Sequence, residues 1–246
     1  MTSEMSYFRI RSINRQILFV FAIVAGGQLF SQEARTDART GKSPSADSAA
    51  HSQGKLPTPT PTPQAPANRQ QLQRLAKEAD KVLDKIQTEE NDLYLRLNYF
   101  EKPERLDPGS YASKDEIAQW RSILQQLKTQ NDKVADLYAN VGKELDAALK
   151  SAGENEEIAG RFKKLILDGF PWDQIERKKK LIADFIEEHG NLLTFYEKNW
   201  GSWIKGSDPK KPAFTSVSAG NIYKRLKDQI VSTSDEIQKE YKAMSE

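Results

Sequence analysis

The sequence predicts an all-α protein: an elongated antiparallel helical bundle with coiled-coil-like packing, preceded by a signal or anchor segment and a disordered Pro/Thr-rich linker. Three observations predict it. From residue 67 onward apolar residues recur at three- and four-residue steps, with no strand-like alternation. Before them stands "KLPTPTPTPQAP" at 55–66, in which every second residue from Pro57 to Pro63 lacks an amide donor. Before that, a basic start runs into a short apolar stretch. The expected division is therefore 1–31, 32–66 and 67–246.

The first segment carries Arg9, Arg11 and Arg15, then "ILFVFAIVAGG" from Ile17 to Gly27. A basic start, a short apolar run and small residues after it describe a secretory signal peptide, with cleavage near Gly27 or after Ser31. The rival is an uncleaved anchor: the uncharged stretch 16–32 has 17 residues, at the short end of the ~17–25 that span a bilayer. Either way the arginines stay inside and the remainder is exported, to a periplasmic or secreted location or one tethered by residues 16–32. No cysteine is present, which excludes disulfides, thiolate chemistry, Cys-ligated zinc and a lipoprotein anchor.

Residues 32–66 contain one large aliphatic residue, Leu56, and are too poor in apolar surface to offset the entropy of ordering. The Pro-Thr part is expected to extend as polyproline II, so that 55–66 reach roughly 35 Å at ~3.1 Å per residue.

Within 67–246 four long striped segments follow. The first, about 67–100, aligns Leu72, Leu75, Ala79, Val82, Ile86, Leu93, Leu97 and Phe100, with Glu89 read as an interruption; "EKPERLDPGSYA" breaks it. In the second, Ser113 and Glu116 form a capping box. Ile117, Trp120, Leu124, Leu127, Asn131, Val134, Tyr138, Val141, Leu145 and Ala148 then keep an unbroken 3-4 alternation, the period of a left-handed seam. "SAG" at 151–153 ends it. The third is split. A short helix through Ile158, Phe162, Leu165 and Ile166 stops at "DGFPWD", where Gly169 is expected to be left-handed, Phe170 to pack back on Leu165 and Pro171 to open the next turn. The restart carries Ile175, Ile182, Phe185, His189, Leu192, Tyr196 and Trp200. After "GSWIKGSDPKKPAFTS" the last helix runs from Val217 to about Met244. Helices with apolar stripes need partners, and an antiparallel bundle is the simplest closure.

The chain has 37 Lys+Arg against 35 Asp+Glu; seven basic and four acidic residues precede residue 67, which leaves 30 and 31 in the bundle. That balance lacks the basic footprint of a nucleic-acid binder. No P-loop, dinucleotide fingerprint, nucleophile elbow or zincin helix appears. Of the two histidines, His51 lies in the linker and His189 on an apolar stripe; position 186 is Ile, so "FIEEHG" offers no Glu-x-x-His pair for a di-metal bundle. No catalytic residue, metal or cofactor is expected. The docking candidates are the basic run Arg177, Lys178, Lys179 and Lys180, with Lys178 falling on a seam slot, and the loop bearing Trp203, Ile204, Lys205, Lys210, Lys211 and Phe214. Gly201 and Gly206 flank Trp203 and Ile204, which suits an exposed tip. The function expected is a non-enzymatic interaction or structural module of the cell envelope, engaging a protein or itself, no nucleic acid, and a membrane only through an uncleaved N-terminal segment. The alternative is an extracytoplasmic ligand-binding, sensor-like bundle, which calls for a polar-lined cavity between helices.

Overall fold

The computed structural model describes residues 69–204 and 212–243. The expected signal or anchor segment and the Pro/Thr linker lie outside the described residues.

Five helices account for the described fold: α1 (Arg69–Phe100), α2 (Lys114–Ser151), α3 (Glu156–Asp168), α4 (Trp172–Lys198) and α5 (Val217–Ala243). Two 3-10 turns, Pro103–Leu106 and Pro108–Ser110, join α1 to α2. Prolines at their first positions fix φ and remove a donor, which suits a turn and stops α1 from continuing.

The direction of each helix follows from the side chains that meet. Between α1 and α2, Lys85 meets Glu144 at 3.8 Å and Arg96 reaches Gln126 at 3.3 Å, so the two run antiparallel. Between α2 and α4, Asn131 reaches the Lys179 carbonyl at 3.5 Å and Arg121 pairs with Glu197 at 2.9 Å. Between α4 and α5, Arg177 pairs with Glu240 and Thr233 donates to Glu188 at 3.1 Å. Between α1 and α5, Tyr94 meets Tyr241 and Gln238 donates to Glu101. The order is thus up-down-up-down. The short α3 continues the line of α4 along the C-terminal half of α2, where Lys163 pairs with Asp146 at 2.7 Å.

The core follows the stripes closely. α2 buries Ile117, Leu124, Leu127, Asn131, Val134, Tyr138, Val141 and Leu145 at the expected steps, and adds Gln130 and Leu149. Its length of 38 residues corresponds to about 57 Å at ~1.5 Å per residue. The Ser113 hydroxyl accepts from the Glu116 amide at 3.2 Å, as a capping box requires, while the Glu116 carboxylate reaches back to the Ala112 amide at 2.7 Å.

Three details depart from the sequence reading. The polar residue on the buried face of α1 is Glu90, not Glu89: the stripe steps Ile86, Glu90, Leu93, while Glu89 turns toward α2 and pairs with Lys133 at 2.7 Å. Gly169 closes α3 with φ −81°, an ordinary right-handed conformation, and the left-handed glycines lie instead after α2 and α4, at Gly153 with φ 68° and Gly201 with φ 81°. Pro171 caps α4 from outside, and Phe170 packs edge-on against Tyr138 at 5.9 Å, leaving Leu165 on the surface.

Candidate functional site

Residues 202–204 and 213–215 run side by side. Ile204 donates to the Ala213 carbonyl and Thr215 to the Ser202 carbonyl, both at 2.8 Å, forming a bridge between Trp203 and Phe214. The bridge turns Trp203 inward: it is 9 % exposed and sits edge-on to Tyr196 at 6.2 Å and Trp200 at 5.0 Å. Phe214 packs on Tyr223 at 5.0 Å and Phe195 at 5.8 Å. Trp203 is therefore part of an aromatic cap on the bundle end and not an exposed tip. The physical reason is that alternate residues of an extended pair face opposite sides, so Trp203 goes to the core and Ile204, 53 % exposed, to solvent. Lys205, Lys210 and Lys211 lie outside the described residues.

The same cap ties the connections down. The Tyr196 and Tyr223 hydroxyls both donate to the Leu106 carbonyl, at 2.8 and 2.7 Å. Both phenols are pushed up in pKa, by burial first.

The basic run splits by helical position. Arg177 pairs with Glu240 at 2.9 Å, Lys179 approaches Glu176 at 3.4 Å, and Lys180 is exposed. Lys178 points the other way. It is 3 % exposed and its Nζ donates to Glu90 Oε1, itself on a residue 4 % exposed. Lys178 is thus withdrawn from any surface patch, because its slot between Ile175 and Ile182 faces the core. The run and the aromatic loop stand at opposite ends of α4, as its length requires.

Around the Glu90–Lys178 pair lies a polar layer. The Tyr241 ring stands 5.4 Å from the Lys178 ammonium, a cation–π distance. The Tyr138 hydroxyl is close to the Glu90 carboxylate but outside hydrogen-bond geometry; burial, then that carboxylate, push its pKa up. Beside it a crevice lined by Asn131, Tyr138, Lys178 and Ile182 has a volume of about 10 Å³, room for about one water molecule.

His189 occupies an aromatic box, with Phe185 at 4.4 Å and Phe100 at 5.3 Å between ring centres. It is 1 % exposed, its Nε2 meets no hydrogen-bond partner among the described residues, and burial pulls its pKa down to about 3. Its environment keeps the ring neutral. Among the described residues no group of three or more His, Asp or Glu is placed to hold a metal ion, and no helix is long and apolar enough to cross a membrane.

On the outside, Leu95 and Tyr99 are exposed one turn apart on α1, on the side away from the buried Leu93 and Leu97, and Lys102 stands 5.6 Å over the Tyr99 ring. Sequence reading missed this pair, because attention to the buried stripe passes over apolar residues between its positions. The spacing 95, 99 was the available signal.

No protein family matches the chain, and neither does any curated protein or solved structure.

Proposed function

We propose that the chain is an exported, non-enzymatic helical-bundle protein that acts as an interaction or structural module in the cell envelope. The observation that carries the interaction half is the disposition of its side chains. The buried charges Glu90 and Lys178 are spent on each other and His189 is held neutral among aromatic rings, while Leu95, Tyr99 and Ile204 are turned to solvent. Apolar anchors at a surface carry binding better than screened basic contacts do. Export rests on Arg9, Arg11 and Arg15 followed by the apolar run 17–27. Of the docking candidates named from the sequence, Ile204, Arg177, Lys179 and Lys180 have the exposure a contact needs.

The test is site-specific photo-crosslinking in living cells, with the crosslinking residue at position 95, 99 or 204 of the full chain. A discrete adduct, to another protein or to a second copy, supports the reading. Stable, folded protein with no adduct from any of the three positions overturns it. A reporter fused after residue 66 tests export separately: activity confined to the cytoplasm refutes the envelope location.

A further inference from the structure

We propose that α5 is a latch: it opens from the bundle as a unit while α1, α2 and α4 stay folded, and when closed it covers the Glu90–Lys178 pair. The comparison with α4 carries this. Both helices have 27 residues, yet α4 buries ten of them and α5 only Ala219, Tyr223, Ile230 and Ile237. Val217, Ile222 and Val231 of α5 face water. A helix is held mainly by packing its apolar stripe, so α5 is held least among the long helices.

Its contacts point the same way. Among the described helices, α5 packs closely on α4 alone. Toward α1 it reaches across with polar side chains: Gln238 Nε2 donates to both Glu101 oxygens at 2.8 and 3.0 Å, and Ser234 Oγ to one at 3.3 Å. Tyr241 adds an edge-on contact to Tyr94 at 4.9 Å. Burial raises the pKa of the Glu101 carboxyl, so this seam holds a carboxylate where its charge is disfavoured. To the common core α5 contributes four buried apolar residues, Ala219, Tyr223, Ile230 and Ile237, against eight each from α1, α2 and α4. Elements with few buried apolar contacts open at lower free energy than the core they rest on.

What the opening uncovers is specific. The Tyr241 ring over Lys178, the Arg177–Glu240 pair and the Thr233–Glu188 bond all leave with α5. The exposed face then presents a paired Lys and Glu between α1 and α4, on which α5 itself is the fitting occupant. This inference stands independently of what the bundle binds.

Native-state hydrogen exchange of the full chain, followed by mass spectrometry over a denaturant series, tests it. Amides from 219 to 241 are expected to exchange through one common opening, about tenfold or more faster than those of 124–145 in α2. Ile237→Ala is expected to speed exchange throughout α5 by about thirtyfold or more and to leave α2 unchanged. The proposal is overturned if α5 and α2 exchange together in the wild-type chain. It is equally overturned if protection only frays inward from Ala243, with 223–230 as protected as α2, or if Ile237→Ala speeds both helices alike.

Discussion

Acidification will destabilise this bundle through His189, and the size of the effect can be worked out. In the unfolded chain the imidazole has its ordinary pKa of 6.5; in the fold it falls to about 3, with burial as the cause. The folded state therefore binds fewer protons between these values. The contribution is fully present above pH 6.5 and is lost as pH falls toward 3. At pH 5 the unfolded imidazole is almost wholly protonated while the folded one is not, which amounts to a loss of about 2 kcal/mol relative to pH 7. Below pH 3 the loss levels off near 5 kcal/mol, on the order of half the total stability of an ordinary domain. Other groups act in the opposite direction: burial raises Glu101, Glu188 and Asp80, so these gain as pH falls. The informative quantity is accordingly a difference between two chains. His189→Leu keeps an apolar group in the box of Phe100 and Phe185 and removes the titration. Urea unfolding at pH 7 and pH 5 should show the wild type losing about 2 kcal/mol more than the variant over that interval. Equal losses in both chains would refute the argument, since His189 would then be titrating in the fold as it does in water.

Three further outcomes follow from the same geometry. Lys178→Met leaves Glu90 buried without its partner and should cost about 3–5 kcal/mol in denaturant melts, whereas Glu90→Leu combined with Lys178→Met should recover most of that loss. Trp203→Ala strips Tyr196 and Trp200 of a packed ring and should cost about 3 kcal/mol, seen as a lowered Tm; an unchanged Tm would return Trp203 to the surface role that its flanking glycines suggested. Glu101→Gln removes a carboxylate whose charge burial disfavours. The variant should be the more stable at pH 7, and its advantage should shrink on acidification as the wild-type carboxyl takes up a proton; an advantage that does not vary between pH 7 and 4 would exclude this cause.

The helices were legible because their signals are local. The 3-4 alternation from Ile117 to Leu145 specifies a buried face by geometry alone, and Ser113 with Glu116 marks its start. Lys178 was likewise readable as a seam residue from Ile175 and Ile182. Its partner lies one position from the expected interruption: stepping four from Ile86 and three back from Leu93 reaches Glu90, next to Glu89, and two adjacent glutamates give no local sign of which one faces the core. Trp203 failed for a different reason. Its placement depends on a bridge to Phe214 and on rings at Tyr196 and Trp200, and nothing in "GSWIKG" says which face of an extended segment meets the core. Gly169 shows the limit of a residue preference: glycine permits a left-handed helix end without requiring one.

The two phenols on the Leu106 carbonyl also order events in time. That oxygen has two lone pairs, and its donors lie 90 and 117 residues further along the chain. The contacts of α1 with α2 close short loops at small entropic expense, but neither donor can arrive before α4 and α5 have each come back to the first connection. The turn at Leu106 is therefore made early and completed late. With α5 open, Tyr196 on α4 still holds that carbonyl, and only the return of Tyr223 completes its pair of donors.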